Sequence, residues 1–199
     1  MKKIIYTSLF LLSILSFNIY AQGKPSSEKF SKTLNLGLGV GGYSGVGGYS
    51  GYYGFVVHSL PVLHLDYEFN IANNFTLAPF VSFYSYSNKF YLSDNNSNYS
   101  YKYYFYHEVV IPTGVKGTYY FDQLLKANSK WDFYMSGSLG YAIVNSSWDN
   151  DYDGDRSYYN KARPLFLDVH AGTEYHINKM LGIFLDVSSG ISTIGLAIH

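Results

Sequence analysis

EVVIPTGVKGTYYFD (108–122), QLLKANSK (123–130) and WDFYMSGSLGYAIV (131–144) follow one another without interruption, and the two flanking segments alternate. In the first, Val109, Ile111, Val115, Tyr119 and Phe121 fall on one face, and Glu108, Lys116, Thr118 and Tyr120 on the other. In the second, Trp131, Phe133, Met135, Leu139, Tyr141 and Ile143 oppose Asp132, Ser136, Ser138 and Gly140. A period of two residues is that of a β-strand with one apolar and one polar face. Strands of this length exceed the ~5–6 residues usual in soluble sheets, and aromatic residues sit beside the polar turn. Together these features predict a hairpin of a membrane β-barrel.

Composition agrees. Aromatic residues make up 20% of the 199-residue chain, 23 of them Tyr, while charged residues reach only 14%. Tyrosine suits a surface with one dry and one wet side. The 14 basic and 14 acidic residues balance, so the charge footprint of a nucleic-acid binder is missing and no nucleic-acid partner is expected. A mean hydropathy of −0.06 excludes a helical membrane protein but not a barrel, whose alternating strands average out. With no cysteine there is neither disulfide nor thiolate metal site.

Outward from the hairpin the same pattern repeats. The hairpin's first strand is expected to start at 103 and run to 122, and its second to reach about 147; further strands are expected at 165–177, 181–187 and 191–199 towards the C-terminus, and at 75–87, 60–70 and 33–41 towards the N-terminus. Leu34, Leu36, Leu38 and Val40 should face lipid, with Asn35, Gly37 and Gly39 inward. The same split sets Leu63, Leu65, Tyr67 and Phe69 against His64, Asp66 and Glu68, and Leu77, Val81 and Phe83 against Thr76, Ala78 and Ser82. Pro79 removes a ladder donor from its strand, and Pro112 with Gly114 suggests a bend or bulge. The count is eight strands. Long Tyr/Gly/Asn-rich connections follow the first, third and fifth; short ones follow the second, fourth and sixth. The first long connection holds the duplication VGGYSG at 40–45 and 46–51, the second covers 88–102 and the third 148–163. Ahead of the barrel domain (33–199), residues 1–21 read as a secretory signal: Lys2 and Lys3, an apolar run, and Ala21 before the cut. Residues 22–32 read as a flexible lead-in.

The run VIPTGVKGTYYFDQLL, followed by KWDFY and GSLGYA, resembles the small outer-membrane β-barrel proteins of Bacteroidetes-type bacteria. More loosely, the chain is similar to the eight-stranded barrels of the OmpA/OmpX class. The resemblance spans nearly all of residues 33–199. It implies an all-β, eight-stranded antiparallel transmembrane barrel in the bacterial outer membrane, with short periplasmic turns and Tyr-rich external loops. Its partners would be outer-membrane lipid and the barrel assembly machinery. Such barrels usually finish on an aromatic residue, and here the last residue is His199.

Alternation assigns His64, Asp66, Glu68, Glu108, Lys116, Asp132, Asp168, His170, Glu174, His176 and Asp186 to the lumen. An eight-stranded barrel is just wide enough for side chains to fill, and buried charges need partners. A polar plug is therefore expected, with Lys116 and the histidines neutralising the carboxylates. The alternatives are a cation or proton path, or a metal site. In the third loop, Asp149, Asp151 and Asp153, with Gly154 and then Asp155, match the first half of a calcium loop, but Asn160 stands where its last ligand should be Glu. No catalytic motif is present: a Gly-x-Ser-x-Gly elbow is missing and His58-Ser59 point to opposite faces. The chain is expected to be a monomeric, cofactor-free barrel with a structural or adhesion-like role, its loops meeting external proteins or glycans. The alternative is a narrow channel or small-solute conduit. A soluble ligand-holding periplasmic barrel is a third possibility.

Overall fold

The computed structural model describes residues 32–42, 55–59, 61–72, 74–93, 101–121, 125, 130–151 and 165–199. The expected signal, nearly all of the lead-in, and the duplication beyond Gly42 lie outside them. Alternating segments form β1 (Lys32–Gly41), β2 (Phe55–Ser59), β3 (Val62–Ala72), β4 (Phe75–Ser93) and β5 (Tyr101–Tyr120), then β6 (Trp131–Trp148), β7 (Leu165–His176), β8 (Leu181–Ser188) and β9 (Ile191–Ile198). All the pairings are antiparallel; with β2 and β3 taken together they join chain neighbours, and β9 returns to β1 to close the ring. β2 and β3 pair in succession with β4, opposite Tyr86–Lys89 and Phe75–Phe83 respectively, and count as one barrel strand broken at Pro61. The architecture is an eight-stranded, closed, antiparallel transmembrane β-barrel.

The surface is inside out relative to a soluble protein. Leu139, Leu38 and Val169 are 58%, 56% and 63% exposed on the outer wall, whereas Asp66, Lys116 and Asp132 are buried within. Trp131 and Tyr141 are exposed aromatic side chains on the outer face of β6, ten residues apart. Ten residues at ~3.4 Å each, tilted by ~40°, rise about 26 Å, close to the ~25 Å apolar band of an outer-membrane-type barrel. At the end with short turns, Trp131 packs on Phe133 and Tyr175 at ring separations of 6.2 and 4.9 Å. That is an aromatic girdle.

Three expectations need correction. The segment expected to be a loop at 88–102 is mostly strand: β4 runs to Ser93 and β5 starts at Tyr101, paired from Asn88↔Tyr106 to Ser93↔Tyr101. Its Ser and Asn content hid the β-propensity of its Tyr, Phe and Leu residues. The strand expected at 60–70 begins earlier, at Phe55, and breaks at Pro61. No register shift accompanies Pro112 and Gly114: the β5–β6 register is unbroken from Tyr106↔Trp148 to Tyr120↔Tyr134. A bulge lies instead between Asn70 and Ala72 at the β3–β4 turn. Pro79 faces outward, and around it the β3–β4 ladder lapses between Asp66↔Phe80 and Phe69↔Leu77 without changing register.

The strands are unequal. β4, β5 and β6 have 19, 20 and 18 residues, against 8 each in β8 and β9. The long strands, joined by β2, rise beyond the apolar band at the loop end. From Tyr141 to Trp148 the extra rise is roughly 18 Å at the same tilt.

Candidate functional site

Among the described residues, ionisable side chains gather in the lumen. Alternation sends every second side chain of all eight strands inward, and glycines decide how far each can reach. Towards the turn end the filling is polar and falls into three connected groups.

The first surrounds Lys116. Its Nζ lies 2.5 Å from Asp66 Oδ2 and 3.8 Å from Glu68 Oε1. Asn35 Nδ2 donates to Asp66 Oδ1 at 2.8 Å and to Glu68 Oε1 at 3.1 Å. Tyr120 and Thr76 hydroxyls donate to Glu68 Oε2 at 2.7 and 2.9 Å. His64 bridges Asp66 Oδ2 at 3.0 Å and Ser82 Oγ at 2.7 Å. Two carboxylates thus share one ammonium, and neutral donors occupy their remaining lone pairs.

The second group centres on Asp186, which meets His170 Nδ1 at 2.7 Å and accepts from the Tyr134 hydroxyl at 3.2 Å. The other nitrogen of His170 reaches Ser138 Oγ at 3.0 Å. Tyr134 fits because its pair on β7 is Gly172: a Cβ there would overlap the phenol ring.

The third group lies at the turn end. His176 Nε2 meets Asp132 Oδ2 at 2.7 Å, and His176 Nδ1 lies 3.3 Å from Glu174 Oε1. His199 Nε2 meets that same oxygen at 2.7 Å, and its Nδ1 bonds Thr33 Oγ1 at 2.9 Å.

Above these groups the lumen turns apolar. Val62 and Ile191, the first residues of β3 and β9, pack with Phe80, Tyr84, Val110, Ala142 and Phe166 in one buried cluster. Phe80 joins the layers, 6.0 Å from the His64 ring and 5.6 Å from Phe166.

Two of the sequence-assigned lumen residues lie at the margins of the polar groups, although Asp168 Oδ2 still comes within 3.7 Å of His170 Nε2. Glu108 lies opposite Tyr86 and hydrogen-bonds it on the loop side of the apolar layer. Asp168, though buried, is a turn cap: its carboxylate accepts from Ser188 Oγ, Ser189 Oγ, Gly190 N and Ile191 N at 2.7–3.0 Å, fixing the β8–β9 turn. His64, Asp66, Glu68, Lys116, Asp132, His170, Glu174, His176 and Asp186 all lie within the three groups. Sequence reasoning missed His199, which follows the last strand, and Tyr134, which alternation places inward beside Asp132 and Ser136. It also missed the apolar layer, because inward Phe80 and Phe166 stand beside outward Val81 and Leu167.

Of the acidic loop, Asp149 and Asp151 are described. Asp149 Oδ2 accepts the backbone N–H of Phe105 at 2.8 Å, tying the loop's start to β5, and Oδ1 lies 3.8 Å from His107 Nε2. Asp153 and Asp155 lie outside the described residues.

No protein-family model and no curated protein sequence matches the chain. Among solved structures it is similar to a transmembrane β-barrel from de novo design, at 9% identity and a TM-score of 0.44, covering 84% of this chain and 94% of that one. It is also similar to Ail, the attachment invasion locus protein of Yersinia pestis, in its crystal structure with the heparin analogue sucrose octasulfate. That match has 10% identity and a TM-score of 0.39, covering 84% and 96% of the two chains. Ail in a phospholipid bilayer nanodisc matches at 11% identity and a TM-score of 0.35, covering 84% and 97%. The barrel assignment rests on this chain's own ring of pairings and its apolar exterior.

Proposed function

We propose that the chain is a bacterial outer-membrane barrel whose work is done at its loop end, as a structural and surface-interaction protein. The short turns face the periplasm, and the Tyr-rich connections meet external proteins or glycans. The observation that carries this reading is the filled lumen. Lys116, its two carboxylates and their donors occupy the polar half, and the Val62–Phe80–Phe166 cluster closes the other. A barrel stopped twice along its axis offers its rim rather than its bore. The overreaching β4–β5–β6 sheet adds support, with Tyr103 51% exposed and stacked edge-on to Phe105 at 5.8 Å.

The test pairs two measurements on intact cells and on purified protein. Surface proteolysis should cut the segments 43–54 and 94–100 and spare the short turns. Deleting 94–100 and 43–53 should lower adhesion to cells or matrix while the barrel still inserts. Unchanged adhesion with normal insertion refutes the surface role. The conduit alternative is read by planar-bilayer recording, where reproducible ion-selective conductance of the refolded wild type would replace the plug reading with it.

A further inference from the structure

The third lumen group has a composition that plugging alone does not require. Glu174, His176 and His199 present donor atoms that all lie within 4.8 Å of one another. Glu174 Oε1 lies 2.7 Å from His199 Nε2 and 3.3 Å from His176 Nδ1. Around a tetrahedral Zn²⁺ with bonds of ~2.0–2.2 Å, neighbouring ligand atoms stand about 3.3–3.5 Å apart; the Glu174–His176 edge already has that length, and the Glu174–His199 edge would open by roughly 0.6–0.8 Å, within reach of a side-chain rotation.

The partners behind the donors matter as much. His176 turns its other nitrogen, Nε2, to Asp132 Oδ2 at 2.7 Å. An ionised carboxylate only accepts, so the proton of that bond sits on Nε2 and Nδ1 is turned towards the Glu174 oxygen. His199 likewise places Nδ1 on Thr33 Oγ1 at 2.9 Å, leaving Nε2 towards the same oxygen. A carboxylate behind one imidazole and a hydroxyl behind the other is the arrangement that orients metal-bound histidines. One cation, a proton or a metal ion, would serve all three donor atoms at once.

The backbone is cut to make that space. Glu174 and His176 are on β7 and His199 follows β9, so the group must reach across β8. The β8 residue between them is Gly182, paired with His176 on one side and Ala197 on the other. A Cβ on Gly182 would fall on the Glu174 carboxylate. His199 is anchored as well: its backbone N–H donates to Met180 O at 3.0 Å.

We propose that Glu174, His176 and His199 form a binding site for a first-row divalent transition metal of the zinc class at the turn end of the lumen. Two imidazoles and one carboxylate suit such an ion and not a hard, all-oxygen cation such as calcium. Three protein ligands leave one coordination position for water. The bound ion links β7 to the residue that follows β9, across β8, beside the seam where β9 meets β1.

Tag-free barrel, refolded in detergent and stripped with chelator, is dialysed against Zn²⁺ alone and its metal content measured. One equivalent per chain is expected. Glu174→Gln and His199→Ala should each weaken binding at least tenfold. Asp132→Asn, which touches no metal, should weaken it about 10–100-fold. His107→Ala, on the exposed part of β5, should bind as wild type does. Heat-dependent gel mobility reports whether each variant is folded. If the Glu174 and His199 variants do not fold, Co²⁺ added to the wild type decides: visible bands of a tetrahedral nitrogen–oxygen site support the proposal and their absence overturns it. Wild type retaining less than a tenth of an equivalent of Zn²⁺, or folded Glu174→Gln and His199→Ala binding it undiminished, also overturns it in favour of a proton-bridged cluster.

Discussion

Replacing Lys116 with Met removes the ammonium that Asp66 and Glu68 share while keeping nearly the same length of side chain. Lys116 is 5% exposed, Asp66 0% and Glu68 5%, so water cannot take the ammonium's place. Removing one partner of a buried ion pair costs about 3–5 kcal/mol, because the other charge stays behind without compensation. Here two charges stay behind, yet they are not abandoned: Asn35 still donates to both, His64 to Asp66, and Tyr120 and Thr76 to Glu68. These donors hold the expected loss near ~3 kcal/mol, the lower end of that range. Urea unfolding in lipid vesicles, followed by Trp131 and Trp148 fluorescence, is the assay. With slopes of ~1–3 kcal/mol/M, the midpoint should fall by roughly 1–3 M. Adding Asp66→Asn and Glu68→Gln to Lys116→Met removes the stranded charges and should recover all but about 1 kcal/mol. A midpoint shift under ~0.3 M for Lys116→Met, or no recovery in the triple variant, would refute the shared-ammonium account.

Three further outcomes follow from the same geometry. Gly172→Ala drives a methyl group into the Tyr134 phenol and should cost about 1–3 kcal/mol; Tyr134→Phe in the same background should relieve it only in part, since ring carbons as well as the hydroxyl oxygen lie where the methyl would go. Phe80→Ala with Phe166→Ala empties the centre of the apolar layer and should destabilise by at least ~3 kcal/mol. If that layer is the seal, the pair also raises single-channel leak in planar bilayers. Asp168→Ala removes the acceptor of four turn hydrogen bonds and should speed amide hydrogen exchange at Gly190 and Ile191, with a stability loss of about 1–3 kcal/mol; unchanged exchange would deny the capping role.

Much of the barrel was legible because lipid outside and polar groups inside impose period two on every strand. Leu34, Leu36, Leu38 and Val40 against Asn35, Gly37 and Gly39 needed no knowledge of neighbours. What alternation cannot reveal is height along the barrel axis or the partner across the lumen. Asp168 and Asp186 look alike in the sequence, yet one caps a turn and the other holds His170 and Tyr134. Glu108 shares a face with Lys116 but sits beyond the apolar layer. His199 was invisible as a site residue because its partners, Glu174 and Thr33, are 25 and 166 positions away. The 88–102 segment misled for a local reason: Ser and Asn signal turns, and only the facing strand shows that its Tyr residues pair.

The closing of the ring has a kinetic meaning. With β2 and β3 taken together, every pairing but one joins strands that follow each other in the chain, so each can form as soon as a hairpin turns. The exception is β1 with β9, where Leu34 meets Ile198. That contact alone carries the loop-closure entropy of most of the chain, a cost that delays non-local pairing. Assembly should therefore run through a curved sheet with two raw edges, β1 and β9, each a template for the wrong partner until the other arrives. Whatever strengthens the seam acts as a latch on the last step rather than as a brace on the early ones.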